Sequence, residues 1–273
     1  MMLLHVQDLS IRLKTNPQHP PLVSKVGFSL DHNKCLGIVG ESGSGKSLTC
    51  YAINGLLADC FSVEGSIRFN GEDLLAQSER DRRAMRGKRI AMILQSPMTA
   101  FNPLFTIGNQ VTETLCRHLQ CTPQEALALM ADTFGKVNLR DPQQLFGKYP
   151  HELSGGMLQR IITSFAIALK PELIIADEPT TAIDYISQRE VIKELQSIRD
   201  LFQTSIIFIS HDLSLVSHIA DRVLVMNRGC VVEQGPTAQV FTRAESEHTR
   251  YLIDTRMQLI TRLRQMTRPA HAA

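Results

Sequence analysis

The sequence predicts an α/β fold with a mainly parallel sheet at its centre, and two observations carry that prediction. Four short apolar runs are separated by long helical stretches, a pattern typical of parallel strands buried on both faces; these runs are residues 35–39, 90–94, 173–176 and 205–209. Partial alternation of apolar and polar residues in 6–13, 23–30 and 66–70 instead predicts antiparallel strands buried on one face. We therefore expect a β-rich N-terminal part beside an α/β core.

Length and composition exclude several classes of protein. The chain has 273 residues, of which 43% are hydrophobic, enough to bury a full core and nearly two domains long at about 150 residues each. A net charge of +2 shows no basic footprint for nucleic acid, so we expect no nucleic-acid partner. The six cysteines form no C-x-x-C pair, and neither a signal peptide nor a membrane-spanning apolar run is visible. These features predict reduced thiols in the cytosol.

The middle of the chain predicts helices. Thr122, Pro123 and Glu125 form a capping box with proline at the first helical position. Later, the spacing of Val191, Leu195, Ile198 and Phe202 places one apolar stripe along a helix. We predict one domain over residues 1–250 with a helical subdomain inserted at about 96–160, followed by a polar, basic tail at 251–273.

The motif G-x-x-x-x-G-K-[ST] follows the first buried strand directly. In such a loop the glycines let backbone N–H groups surround phosphate oxygens, the lysine neutralises phosphate charge, and the hydroxyl binds Mg²⁺. A simple glycine-rich turn is the alternative. The predicted nucleotide-binding residues are Gly40, Glu41, Ser42, Gly43, Ser44, Gly45, Lys46, Ser47 and Leu48.

Polar side chains follow the other buried strands at the edge where ligands of open α/β sheets bind. Asp177 suits Mg²⁺, and Glu178 is placed to accept a proton from a water that attacks a γ-phosphate. Two acids that cap a turn are the alternative. His211 is predicted to hydrogen-bond a γ-phosphate or water, and Gln95 to ligate Mg²⁺ or water; a structural histidine and a solvent-exposed amide are their alternatives.

Ser154, Gly155 and Gly156 stand at the start of another predicted helix. Free N–H groups at a helix start bind anions, so this segment is a second candidate phosphate site. Taken alone, the segment also fits an ordinary helix N-cap followed by flexible residues.

In their order along the chain, these motifs resemble the nucleotide-binding subunits of ABC transporters over residues 1–250. The resemblance implies a P-loop NTPase fold of the ABC ATPase type that binds ATP and Mg²⁺. It also implies that Asp184 is the D-loop aspartate and that residues 154–156 contact ATP held by a partner subunit in a head-to-tail dimer.

Three segments narrow the resemblance to importers of nickel, metal chelates and peptides: residues 95–103, 154–160 and 177–181. That group implies a second, non-identical ATPase, two transmembrane permeases and a solute-binding protein, with this chain on the cytoplasmic face of the inner membrane. Two positions depart from the common pattern. Met157 replaces a glutamine, and Leu13 stands where an aromatic ring commonly stacks on adenine.

Two alternatives to a transport ATPase stay open: a cassette of translation or DNA repair, and a regulatory cassette that holds ATP without hydrolysis. The first usually carries two cassettes or a long coiled coil, and neither is visible; the intact Glu178 and His211 oppose the second. A GTPase is disfavoured because no N-K-x-D segment follows the phosphate loop. The cargo cannot be read from this subunit.

Overall fold

The structure is a computed structural model that describes residues 1–16, 18–180 and 185–255, with only the backbone of 185–187. Its strands are β1 Met2–Leu13, β2 Val23–Asp31, β3 Cys35–Val39, β4 Phe61–Phe69, β5 Glu72–Asp73, β6 Ile90–Ile93, β7 Leu173–Asp177, β8 Ser205–Ile209, β9 Arg222–Asn227 and β10 Cys230–Pro236. Its α-helices are α1 Lys46–Ile53, α2 Glu79–Met85, α3 Ile107–Leu119, α4 Pro123–Lys136, α5 Pro142–Phe146, α6 Gly155–Leu169, α7 Tyr185–Phe202, α8 Leu213–Ile219 and α9 Thr237–Thr242.

A four-stranded antiparallel sheet forms the predicted N-terminal β-rich part. Its strand order is β2-β1-β4-β5, and its apolar side chains pack onto one face of the larger sheet. Asn70 and Gly71 both have positive φ, 49° and 85°, as a tight turn between β4 and β5 requires. The alternation of apolar and polar residues in the sequence therefore predicted this half-buried sheet correctly.

The second sheet has the order β10-β9-β3-β8-β7-β6. Five of its strands are parallel and β10 is antiparallel. Every residue of β3, β7 and β8 is buried, which confirms the interpretation of these runs. Because these strands are parallel, their carboxyl ends lie at one edge of the sheet. The phosphate loop, Glu178 and His211 each come just after a strand that ends at this edge.

Helices α3 to α6 pack against one another beyond the edge strand β6. The predicted capping box of α4 is present: Glu125 N donates to Thr122 Oγ1 at 3.3 Å, and Thr122 N donates to Glu125 Oε2 at 2.8 Å. The stripe on α7 is buried at Val191, Leu195 and Ile198. The inserted helical part of the predicted fold is thus confirmed, while its limits at about 96–160 stay a prediction.

Several predictions concern parts of the chain that the structure does not cover. Asp184 and the tail from residue 256 lie outside the described residues. All six cysteines are free thiols. Within the described residues, no helix has both the length and the apolar character needed to cross a bilayer.

Candidate functional site

The loop between β3 and α1 requires glycine at defined points. Gly40, Gly43 and Gly45 have φ of 153°, 78° and 99°, a region that favours glycine. A Cβ on Gly40 would also collide with the backbone oxygen of Met226. These positions let the loop curve tightly and direct its N–H groups toward the start of α1.

Lys46 closes the loop from inside. Its Nζ donates hydrogen bonds to Gly40 O at 2.8 Å and to Glu41 O at 2.7 Å, and the side chain is buried. Burial lowers the pKa of Lys46, while the carboxylates of Glu178, Asp177 and Glu41 oppose that shift. The ammonium group therefore holds the loop in shape through backbone carbonyl groups.

Ser47 and Asp177 form a pair of oxygen ligands at the end of β7. Ser47 Oγ donates to Asp177 Oδ1 at 2.9 Å. Burial raises the pKa of Asp177, and the hydrogen bond from Ser47 opposes this shift. A hydroxyl beside a carboxylate is a donor set of the kind Mg²⁺ prefers, so the residues present fit the predicted magnesium ion.

Glu178 faces two polar side chains from neighbouring strand ends. Its Oε2 lies 3.3 Å from Gln95 Nε2, which donates, and 3.3 Å from His211 Nδ1. The backbone of Glu178 has φ of 46°, which is uncommon for a residue with a side chain, and its N–H donates to Ile209 O. The three predicted residues are thus brought together on one carboxylate oxygen.

One cavity of about 570 Å³ collects most of the predicted site. Its lining residues are Glu41, Ser42, Gly43, Gly45, Lys46, Ser47, Leu48, Gln95, Glu178 and His211. Gly40, Ser44 and Asp177 are buried behind this lining. The cavity therefore combines anion-binding N–H groups, a cation and a carboxylate.

Residues 154–156 are not among the residues that line this cavity. Ser154 caps α6 by accepting a hydrogen bond from Met157 N at 3.3 Å. A Cβ added to Gly155 or Gly156 would meet no atom within 4 Å. The predicted second anion site is therefore an open helix start that carries no charged group among its first residues.

A family model described as ABC transporter matches residues 23–181 of the chain. The chain belongs to the ABC transporter family. The matched range covers β2 to β7, the phosphate loop and the open start of α6, whereas His211 lies beyond it. The predicted family is confirmed.

Two relatives are similar over most of their length. The chain is 44% identical to the metal-staphylopine import system ATP-binding protein CntD of Staphylococcus aureus (strain Mu50 / ATCC 700699), over 95% of each chain. It is 42% identical to the oligopeptide transport ATP-binding protein OppD of Bacillus subtilis (strain 168), over 88% of this chain and 67% of the relative.

Solved ABC cassettes share the fold. The dimeric ATP-binding cassette MJ0796, in a post-hydrolysis state bound to ADP and Pi, superimposes with a TM-score of 0.76 at 19% identity, over 86% of this chain and 99% of its own. CbiO1 from Clostridium perfringens, part of the ABC transporter complex cbiONQ, gives 0.74 at 22%, over 97% and 99%. The predicted ABC ATPase fold and the class of transport ATPase are confirmed.

Sequence reasoning missed one feature of this ABC chain, the attachment of α6 to α7. Arg160 on α6 donates to Glu190, and its Nε lies 3.8 Å from Glu194 Oε1. The Glu194 side chain is only 9% exposed, neither of its oxygens accepts a hydrogen bond, and burial raises its pKa to about 7. Two acids four residues apart on an amphipathic helix were the available signal.

The position predicted to contact adenine stands apart from the cavity. Leu13 ends β1 and is 36% exposed. It does not line the cavity described above. An aliphatic side chain here offers contact area without the ring stacking that an aromatic residue supplies.

Proposed function

We propose that the chain is the ATP-binding and ATP-hydrolysing subunit of an ABC importer. The observation that carries the proposal is the cavity in which the phosphate loop, Lys46, the Ser47–Asp177 pair and Glu178 meet. Positive charge, N–H groups and a carboxylate line the same cavity, as phosphoryl transfer to water requires.

The residues have distinct roles in this proposal. Loop N–H groups and Lys46 hold the phosphates, with the ammonium exchanging its contacts to Gly40 O and Glu41 O for phosphate oxygens. Ser47, Asp177 and Gln95 would hold Mg²⁺, which would supply positive charge beside the bound phosphates.

Glu178 takes the proton of the attacking water in this proposal. Its contacts to Gln95 and His211 support that role, because both side chains lie close enough to orient the carboxylate.

In this proposal, a second nucleotide-binding subunit completes each ATP site. The open start of α6 at residues 154–156 contacts the ATP bound by the partner, and the partner's equivalent helix contacts the ATP bound here. The absence of a charged group in the first residues of α6 supports this role, since a helix start offers N–H groups and a partial positive charge to an incoming phosphate. We propose that this partner is non-identical and that Asp184 takes part in the contact.

Two transmembrane permeases dock on the helical part in our proposal. Large apolar side chains are exposed in the segment after Gln95: Met98 is 47% exposed, Leu104 78% and Phe105 50%. Tyr149, 40% exposed, belongs to the same surface, because Lys148 O accepts from Ile107 N two residues after Phe105. We call these four side chains the apolar docking surface. Exposed apolar patches of this kind mark interaction sites.

The relatives indicate the class of cargo. One imports metal-staphylopine and another transports oligopeptides. We propose that this chain energises uptake of nickel or another metal, free or as a metallophore complex, or of peptides. A solute-binding protein delivers the cargo to the permeases, and the chain lies at the cytoplasmic face of the inner membrane. The same relatives favour an importer over a cassette of translation or DNA repair.

The variant Glu178→Gln tests the proposal directly. In membrane vesicles that contain the co-expressed permeases and both ATPases, we expect ATP hydrolysis at this site to fall by about 100-fold or more, while ATP binding is retained. The exposed carboxylate Glu113, changed to Gln, is the matched control and should leave turnover unchanged. Hydrolysis at the parent rate in Glu178→Gln would contradict the assignment of the base. Uptake assays with nickel, a metal chelate and a dipeptide then distinguish the cargoes.

A further inference from the structure

Positive charge is concentrated in one short segment of an almost neutral chain. Residues 79–89, which comprise α2 and the turn before β6, contain six basic and two acidic residues, whereas the whole chain carries a net charge of +2. The rest of the chain is therefore slightly acidic. A local excess of this kind requires a counter-charge or a partner.

Part of this excess is neutralised within the fold. Arg82 and Arg86 both pair with Glu79, at 3.4 Å and 2.8 Å, and Arg89 pairs with Glu172 at 2.7 Å. Arg86 also donates to backbone oxygens at the end of α1. These three arginines hold α2 and β6 in place and are structural.

The remaining basic side chains point outward. Arg80, Arg83 and Lys88 are exposed, and none of them forms an ion pair with any residue in the described part of the chain. The nearby acid Asp81 accepts a hydrogen bond from Ser78 instead. Three unpaired cations thus remain on one short segment.

The end of α3 adds a fourth. The His118 ring packs onto Gly87, where a Cβ would lie 2.9 Å from the ring atom Cε1. Burial lowers the pKa of His118, and the charges of Arg117 and Lys88 lower it further, so both cations lie close to this ring. Arg117 is exposed, and within the described residues it forms no ion pair with Glu113, one turn earlier. We call Arg80, Arg83, Lys88 and Arg117 the basic patch.

Helix α3 connects the basic patch to the apolar docking surface. It begins at Ile107, next to Phe105, and ends beside Gly87. Its 13 residues span about 20 Å. If the permeases dock at the start of α3, as the proposed function holds, the basic patch lies about one helix length from the docked permeases.

We propose that the basic patch binds the anionic phospholipid headgroups of the membrane that holds the permeases. Its four outward cations complement a negatively charged leaflet. Cytoplasmic loops of permeases carry an excess of lysine and arginine, so they would repel this patch. The charge therefore favours lipid over a permease loop as the occupant. The inference rests on the proposed function only for the membrane location.

Cosedimentation of the full chain with vesicles tests the inference. We expect binding to vesicles of phosphatidylcholine mixed with phosphatidylglycerol, weakened by added salt, and little binding to phosphatidylcholine alone. Replacing all four patch residues by glutamine should weaken that binding by about 600-fold, since each basic residue contributes about five-fold. The variant should hydrolyse ATP as the parent does, because the patch lies outside the nucleotide cavity.

Two control variants separate charge from fold. Changing Arg80, Arg83 and Arg117 to lysine keeps the charge and should preserve binding. Neutralising four other exposed basic residues removes the same charge elsewhere and should change binding by less than about two-fold; these residues are Lys25, Arg68, Arg228 and Arg243.

Three results would overturn the proposal. Equal binding of the patch variant and the parent to anionic vesicles is one, and equal binding of the parent to both kinds of vesicle is another. The third is loss of association with the permeases in detergent by the patch variant, which would assign the patch to protein. Failure of the proposed importer function would show separately, as absent ATP hydrolysis in the assembled complex.

Discussion

The two helix starts that face phosphate in our proposal, at α1 and at α6, are built in opposite ways. The start of α1 is enclosed: Lys46 is buried under the loop, and Ser47 is tied to Asp177. The start of α6 is open: a Cβ on Gly155 would meet no atom within 4 Å, and Ser154 caps only its own helix. One site supplies its own charge and ligands, whereas the other supplies N–H groups alone.

This difference indicates which of the two helix starts can bind a phosphate without a second subunit. A helix start with no charged side chain binds an anion weakly, because its partial charge is about half a unit and is screened by water. It becomes effective when another protein delivers the phosphate and excludes the water. The α6 start is therefore suited to act on a nucleotide that is already bound elsewhere.

The largest effect is expected from Gly155→Asp. The new carboxylate would face the partner's γ-phosphate, so we expect ATP turnover by the assembled pair to fall by about 100-fold. ATP affinity of the isolated chain should stay within about two-fold, since residue 155 is not in its cavity. Gly155→Asn is the neutral control of the same shape and should be much milder. Weaker ATP binding by isolated Gly155→Asp would contradict the contrast between the two helix starts.

A smaller effect, on the free energy of unfolding, is expected from Glu194→Gln, which changes the contact between α6 and α7. The pKa of Glu194 is about 7, against an ordinary value of 4.5, so the folded chain retains a proton that the unfolded chain releases. Stability from this group is therefore present at low pH and is lost as the pH rises from about 4.5 to 7. The glutamine variant should be more stable than the parent at pH 8, by on the order of 3 kcal/mol, and similar at pH 5.

Chemical denaturation at both pH values measures this difference. The control is Glu190→Gln, which removes the exposed partner of Arg160 and should change the free energy of unfolding little at either pH. A glutamine variant at position 194 that is equally destabilised at pH 5 and pH 8 would show that Glu194 acts as a paired charge.

The smallest effect is expected at the edge of the enclosed site. Leu13→Tyr introduces a ring at the position that the resemblance assigns to adenine, and stacking on a base contributes about 1–3 kcal/mol. We expect ATP to bind about ten-fold more tightly, with no change in affinity for inorganic triphosphate, which lacks the base. Leu13→Met is the aliphatic control. Equal tightening for both ligands would place the adenine elsewhere.

Short sequence patterns predicted the structural elements around the cavity. Features that depend on contacts between residues far apart in the sequence were not predicted. Fewer than ten consecutive residues define each of three elements: the phosphate loop, the strand that ends at Asp177 and the cap at Thr122. By contrast, β10 is an edge strand with few buried side chains, so no apolar pattern marks it. The contact of Arg160 with Glu194 joins two helices, and the four-residue spacing of the acids on α7 does not show which residue of another helix they meet.

The same limit applies inside the cavity. The sequence predicts Gln95 as a ligand of Mg²⁺ or water, and the structure places its amide nitrogen on Glu178. Which end of an amide meets which neighbour depends on side-chain rotamers at three strand ends. The residue types in the sequence determine the chemistry available, and the fold determines the pairing.

The left-handed backbone of Glu178 has a consequence for variants of this protein. A residue other than glycine in this conformation costs on the order of 1 kcal/mol, so the Glu178 side chain is present at the expense of fold stability. The variant Glu178→Gly should therefore have a higher Tm than Glu178→Ala, because both lose the side chain and only glycine relaxes the backbone.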